Sequence, residues 1–273
     1  MIKKLFLRSG LIYVFKKSSF IYGILLPLSI FAAILTSPLL NKIEVLQVLV
    51  SLACIMLSMW VCTIVAERIN NKVQKILYVE FKPKEFREAF LHEIESRKPK
   101  NWNSYIRAML SLSYKYEGNF KEAESVLLSS INSIPASTQK RLLIRNRMDA
   151  LLRLTLIYSH TGKLEAAERA WTEVGVHASQ IGVPQELQPT YYLANNVRQM
   201  YAGNACDTID YFEKNNNENA DVPIIKISNT FRLAEAYRLS GYTEKAREQY
   251  SIVAENGKDL YIAQKSREYL DSI

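Results

Sequence analysis

The segment EGNFKEAESVLLSSINSIP, residues 117–135, interrupts sequence that otherwise favours a continuous helix. Gly118 and Asn119 stand between stretches in which apolar residues recur every three or four positions. A glycine inside a helix costs about 1 kcal/mol of stability relative to alanine. Gly118 is better explained by a helix end at which the chain reverses, because that end needs a residue in the left-handed conformation. The segment therefore predicts a helical hairpin, with Gly118 in its turn and Ala123 small where the two helices cross.

The same interruption recurs along the chain. Glycine stands at positions 118, 162, 203 and 241, in the segments EGNFKEA, TGKLEAA, AGNACDT and SGYTEKA. An alanine follows the glycine by five residues in three of these segments, and Thr208 takes that place in the third. A single helical hairpin cannot bury both of its faces, so the recurrence predicts hairpins stacked around a shared core.

This arrangement resembles the tetratricopeptide repeat family, whose repeats join two helices through a glycine-containing turn. The first copy matches at Leu110, Tyr114, Gly118, Phe120, Ala123, Leu127 and Pro135. The second matches at Leu154, Tyr158, Gly162, Leu164, Ala167 and Trp171. The fourth matches at Leu233, Ala234, Tyr237, Gly241, Ala246 and Tyr250. The third keeps Gly203, Thr208 and Phe212 but has Asn195 and Asn196 where Leu and a small residue are expected.

No stretch alternates apolar and polar residues as a sheet requires, so we expect a nearly all-α protein. The resemblance implies that residues 81–273 form an α–α solenoid of tetratricopeptide-like helical hairpins. The expected repeats lie at about 104–137, 148–181, 189–218 and 227–258, with a C-terminal capping helix at 259–271. A further helix is predicted over 83–98, ahead of the first repeat, from apolar residues at helical spacing.

The N-terminal region has a different composition. Residues 18–40 and 45–66 carry no charge, and each run has the roughly 20 residues that cross a bilayer as a helix. They predict a transmembrane helical hairpin over 18–66, between a basic N-terminus at 1–17 and a helical linker at 67–80. A cleaved signal peptide is the alternative for the first run, but Pro38 and the second run that follows at once argue against it.

The distribution of charge predicts the orientation of this hairpin. The net charge is +8, and five cations but no acidic residue precede the first uncharged run. Lysine and arginine also follow the second run, whereas the turn holds Lys42 alone, so both termini are expected in the cytoplasm. By analogy with its layout, we expect an integral protein of a bacterial cell membrane. The N-terminal cations have two alternative interpretations. Residues 11–17 could form an interfacial helix on the membrane, or, as the weaker interpretation, the cations could form a nucleic-acid patch. No nucleic-acid partner is expected.

The sequence offers no pattern typical of a catalytic, cofactor or metal site. His92, His160 and His177 lack the spacing of a ligand pair, and neither a nucleophile elbow nor a phosphate-binding loop is present. We therefore expect no catalytic residue, no cofactor and no metal ion, and a protein that is not an enzyme. Cys54, Cys62 and Cys206 are expected to be buried thiols without a disulfide.

In the family that the sequence resembles, the first helix of each repeat lines a concave groove. On that alignment the groove includes Tyr105, Leu112, Tyr116, Leu152, Leu156, His160, Val197, Tyr201, Phe231, Glu235 and Arg238. Such an apolar and aromatic groove suits a protein or peptide partner. The alternative is that these side chains pack against neighbouring repeats or the capping helix.

These expectations favour a membrane-anchored, non-catalytic scaffold for protein–protein interaction on the cytoplasmic face of the membrane. The hairpin would contact membrane lipid, and the groove would bind the partner. The alternative function is a peptide-binding sensor or regulator, whose solenoid responds to a small peptide ligand.

Overall fold

The computed structural model describes residues 68, 74–88, 103–135, 139–218 and 221–273. All helices from Asn103 onward belong to one compact unit, formed by residues 76–87 and 94–273. The predicted N-terminus at 1–17 and the predicted transmembrane hairpin at 18–66 lie outside the described residues. Within the described residues, no helix combines the length and the apolar character needed to cross a bilayer.

The described residues of this unit form helices and turns without a strand, so the all-α prediction is confirmed for them. The helices are α1 Asn103–Tyr116, α2 Phe120–Asn132, α3 Arg141–His160, α4 Leu164–Ile181, α5 Gln188–Tyr201, α6 Ile209–Glu218, α7 Pro223–Leu239, α8 Thr243–Asn256 and α9 Tyr261–Asp271. Single-turn 3₁₀ helices precede α5 and α6 at Gln185–Leu187 and Cys206–Thr208. Of the predicted linker helix and the predicted helix over 83–98, residues 74–78 and 83–88 are described as helical.

The turns that follow α1, α3, α5 and α7 share one hydrogen-bonding geometry. After α1, the N–H of Asn119 donates to the carbonyl of Tyr114 at 2.9 Å, and the N–H of Gly118 donates to that of Lys115 at 3.1 Å. Gly118 has a φ of 81°, the left-handed conformation that this helix end requires. The same pair of bonds and a positive φ recur at Gly162, Gly203 and Gly241. The recurring glycine therefore marks a repeated helix end, as the sequence predicts.

The small residues after these turns lie in the core. The positions five residues after each glycine have no exposed surface; they are Ala123, Ala167, Thr208 and Ala246. In the third hairpin, Thr208 lies in a 3₁₀ turn, and α6 has 10 residues where α4 has 18. The hairpin that departs most from the sequence pattern is thus also the one whose second helix is shortened. Its neighbour Cys206 is exposed, so the expectation of a buried thiol is wrong at that position.

The last helix contacts the first hairpin. The Tyr261 ring of α9 lies edge-on to the Phe120 ring of α2, with centroids 5.1 Å apart. A Cβ added to Gly118 would lie 2.4 Å from Cδ2 of Tyr261, closer than a Cβ contact permits. On α7, the Ser228 hydroxyl donates to the Tyr116 hydroxyl of α1 at 3.4 Å. These contacts bring α9 against the first hairpin and α7 against α1, and the candidate site lies beside them.

Candidate functional site

An aromatic cluster surrounds His160, the last residue of α3. Its imidazole lies 5.2 Å from the Phe120 ring and 6.0 Å from the rings of both Tyr201 and Phe231, between centroids. The Tyr261 ring of α9 completes the cluster, 5.9 Å from the imidazole. The remaining gap is about 40 Å³, little more than the volume of one water. The C-terminal helix therefore covers this part of the predicted groove.

A hydrogen-bond network runs from this cluster to a carboxylate. The Tyr201 hydroxyl donates to Oε2 of Glu235 at 3.2 Å, and the Tyr250 hydroxyl donates to Oε1. Nη2 of Arg238 donates to Glu235 at 2.9 Å. Because the Tyr201 proton is used in this way, its oxygen accepts from the protonated Nδ1 of His160 at 3.1 Å. The hydroxyls of Tyr201 and Tyr250 and the carboxylate of Glu235 are thus all hydrogen-bonded within the protein.

The electrostatics of the cluster agree with this network. Burial, with a contribution from the nearby Lys115 ammonium, lowers the pKa of His160 to about 4, so its imidazole is neutral at pH 7. Burial alone would raise the pKa of Glu235, but hydrogen bonds from Arg238 and Tyr250 lower it. The Glu235 carboxylate is therefore ionised, and the Arg238 guanidinium compensates its charge.

An adjacent cleft of about 240 Å³ opens between α1, α3, α5 and α7. Leu112, Tyr116 and Leu156, all predicted groove residues, form much of its apolar wall. The polar side chains that line it include Lys115, Arg153, Ser228, Asn229 and Arg232. The cleft thus combines an apolar wall with three cationic side chains that come from three different helices. We call it the cationic cleft.

The three cations differ in their partners. Nε of Arg153 donates to Oδ1 of Asp149 at 3.0 Å, an ion pair along α3. Nη1 of Arg232 donates to the amide oxygen of Asn229 at 2.6 Å. Lys115 lies over the Tyr116 ring, with Nζ 5.7 Å from its centroid. Across the described part of the chain, no carboxylate forms an ion pair with Lys115 or Arg232.

Burial lowers the pKa of Lys115 well below its usual value, and the positive charges of Arg232 and Arg153 lower it further. Burial also lowers the pKa of Arg232. For Arg153, the charge of Asp149 and its hydrogen bond outweigh burial and raise the pKa. Within the described residues, an ion pair with a carboxylate therefore stabilises the charged form of Arg153 alone among the three.

The structure brings most of the predicted groove residues together, in two places. His160, Val197, Tyr201 and Phe231 lie at the covered aromatic cluster, and Glu235 with Arg238 form the network behind it. Leu112, Tyr116 and Leu156 line the cationic cleft. Leu152 lines neither place, because it has no exposed surface and belongs to the core. Tyr105 lies on α1, and its side chain is outside what is described.

The sequence prediction missed Arg153 and Arg232. Helical spacing contains a usable signal, because Arg153 precedes Leu156 by three residues and Arg232 follows Ser228 by four. Residues so placed share a helix face with neighbours that line the cleft. The predicted groove includes the charged residues Glu235 and Arg238 but not these two arginines.

Comparison with known proteins gives no match. No family model matches the chain, and no curated protein and no solved structure is significantly similar to it. The resemblance to tetratricopeptide repeats stays a prediction that is carried by the residues quoted above. Within the described residues, no three His, Cys, Asp or Glu side chains are grouped to bind a metal ion.

Proposed function

We propose that this protein is a membrane-anchored, non-catalytic scaffold that binds a protein partner through the inward face of a tetratricopeptide-like solenoid. The observation that carries the proposal is the cationic cleft, which offers about 240 Å³ between the first helices of successive hairpins. Leu112, Tyr116 and Leu156 give it an apolar wall for a partner side chain. Peptide grooves in helical proteins combine apolar anchor positions with a few polar groups in the same way.

The repeated turns support the solenoid part of the proposal. Each glycine turn ends the first helix of a hairpin with the same pair of hydrogen bonds, and a fully buried small residue follows. The α3–α4 hairpin also packs against α2 on one side and α5 on the other, as stacked repeats do.

The membrane part of the proposal rests on the sequence. The uncharged runs at 18–40 and 45–66 are each long enough to span a bilayer, and the lysine and arginine distribution favours cytoplasmic termini. Anchoring raises the effective concentration of the cleft for partners at the same membrane. A reporter that is active only in the cytoplasm should be active when it is fused after Ile273. Activity of an export-dependent reporter there would overturn the orientation.

Partner binding is tested by site-specific photocrosslinking of the full-length chain in native membranes. A photoreactive residue at Thr190, which lines the cleft, should capture a defined partner, whereas one at the exposed Val176 on α4 should not. Leu112→Glu should abolish capture from Thr190, because it places a charge in the apolar wall. The matched control is Leu142→Glu, also a helical leucine but 52% exposed, and it should leave capture unchanged. Equal capture in the two variants would exclude the cleft as the binding surface.

The position of Tyr261 favours the alternative function, a peptide sensor. This ring occupies the part of the predicted groove around His160, so a peptide that enters there must displace α9. Amide hydrogen exchange in the full-length chain distinguishes the two functions. A sensor predicts faster exchange over 261–271 when a peptide binds, whereas a scaffold that uses the cationic cleft predicts no change there.

A further inference from the structure

Lys115, Arg153 and Arg232 lie on α1, α3 and α7 and line the same cleft. Asp149 is the acidic residue that pairs with one of them, Arg153, at 3.0 Å. Among the described residues, Lys115 and Arg232 have no ion-pair partner, so the cleft carries an excess of positive charge. Removing charged groups from water without a partner is unfavourable, and neighbouring like charges add to the cost.

Another enclosed arginine of the same unit shows what a structural role requires. Nε of Arg147 donates to Glu173 at 2.6 Å, and its Nη1 donates to the carbonyls of Ile131 and Ile134. Its side chain is 11% exposed, and a carboxylate together with two carbonyls occupies its donors. Arg232 donates to the amide oxygen of Asn229, and no carboxylate among the described residues forms an ion pair with it. The contrast indicates that the donors in the cationic cleft are arranged for a group that the described residues do not supply.

We propose that Lys115, Arg153 and Arg232 form a binding site for an oxyanion, a carboxylate or phosphate group that carries up to two negative charges. Three cations and one compensating carboxylate leave room for two negative charges. The planar guanidinium of Arg232 matches the paired oxygens of either group. The Tyr116 hydroxyl already accepts from Ser228, so its own proton is available to the bound oxyanion.

The size of the cleft restricts the ligand further. Its volume of about 240 Å³ is slightly below the 300–1,000 Å³, approximately, of pockets for drug-sized ligands. It accommodates a free small anion or one acidic side chain of a polypeptide. The inference rests on the proposed function only in the second case, where it names the partner chemistry as an acidic segment. A free anion would be a ligand in its own right.

The test is calorimetric titration of the purified full-length chain in detergent, at constant ionic strength set with sodium chloride. The probes are inorganic phosphate, succinate, and a capped peptide with two adjacent glutamates, together with its glutamine counterpart. We expect saturable binding of at least one anionic probe and none of the glutamine peptide. Binding of phosphate or succinate alone identifies a free anion, and tighter binding of the glutamate peptide identifies an acidic segment.

Lys115→Met carries the test of the site, because Lys115 has no ion-pair partner among the described residues and a side chain of similar length should leave the fold intact. It should weaken binding at least tenfold, and Arg232→Met should do the same. Lys226→Met is the control, since Lys226 is an exposed lysine on the same helix as Arg232 and should bind like the unaltered chain. Absence of binding by every probe, or unchanged binding by Lys115→Met, would overturn the site.

The two proposals fail in different ways. Anion binding without partner capture at Thr190 would contradict the scaffold proposal and support the oxyanion site. Capture that persists in a chain that binds no anionic probe would remove the oxyanion site and leave the scaffold.

Discussion

The aromatic cluster at His160 and the cationic cleft lie side by side, and both hold partly buried charged groups. In the cluster, the Glu235 carboxylate receives hydrogen bonds from Tyr201, Tyr250 and Arg238. In the cleft, Lys115 and Arg232 have no carboxylate among the described residues. The difference separates two uses of polar groups, since a satisfied network stabilises a fold and an unsatisfied one is available to a ligand. Four predictions test this contrast, in order of decreasing effect.

The largest effect is expected at the centre of the satisfied network. Glu235→Ala removes the acceptor of two tyrosine hydroxyls and leaves Arg238 without its carboxylate. We expect a loss of about 3–4 kcal/mol in the free energy of unfolding, as for breaking a partly buried ion pair. Urea unfolding of the full-length chain measures it. Glu244→Ala, an acid in the first turn of α8, is the control and should change stability by less than about 1 kcal/mol. A similar small loss in Glu235→Ala would contradict the structural role of the network.

The next effect concerns the helix that covers the cluster. Gly118→Ala should cost about 2–3 kcal/mol, because it combines an unfavourable positive φ with a clash against the Tyr261 ring. Gly162 has a similar φ of 74°, and a methyl group added there would meet nothing within 4 Å, so Gly162→Ala should cost only about 1–2 kcal/mol. Chemical unfolding of both variants gives the comparison. Equal losses would show that Tyr261 does not press on this turn.

An intermediate effect appears with acid. The pKa of His160 in the folded protein is about 4, below its usual 6.5, because of burial and of the charges of Lys115, Arg232 and Lys265, which outweigh Glu235. Between pH 6.5 and pH 4, His160 therefore binds a proton more readily in the unfolded chain than in the folded one. The contribution of the neutral imidazole to stability is fully present above pH 6.5 and is lost as the pH falls toward 4. We expect a loss of about 2 kcal/mol, allowing for partial solvent screening.

Melting temperatures recorded from pH 7 to pH 5 measure this contribution. In His160→Gln the slope over that range should be smaller than in the unaltered chain. An identical slope in both proteins would assign the acid sensitivity to other groups.

The smallest effect has the opposite sign. Lys115→Met should stabilise the ligand-free chain by about 1 kcal/mol, because it removes a cation that Arg153 and Arg232 repel and that has no ion pair among the described residues. Arg147→Met, which removes a cation with a complete set of partners, should instead destabilise it. The melting temperatures of the two variants, measured without added phosphate or carboxylate, should therefore move in opposite directions. Destabilisation by both substitutions would make Lys115 a structural residue.

Local features of this fold could be predicted from the sequence, and convergent ones could not. Gly118 and Ala123 lie within one hairpin, so the spacing of a few residues is enough to assign their roles. The meeting of Lys115, Arg153 and Arg232 depends instead on how three helices far apart in the sequence are placed. The covering of His160 by Tyr261 depends on the direction in which α9 packs, which its helical pattern does not specify. The groove residues lie partly at the cleft and partly under α9, so the alternative that some of them pack against the capping helix applies around His160.

The contact between α9 and the first hairpin also has a consequence for how the chain folds. Repeat arrays with contacts only between neighbours can fold piece by piece, and an end can fray without loss of the rest. Here the hydroxyls of Tyr116 and Ser228 meet across 112 residues of sequence, and Tyr261 reaches the first turn from still further along the chain. Such long-range contacts form late and slow folding. During synthesis, Phe120 and His160 stay uncovered until Tyr261 of α9 has been added.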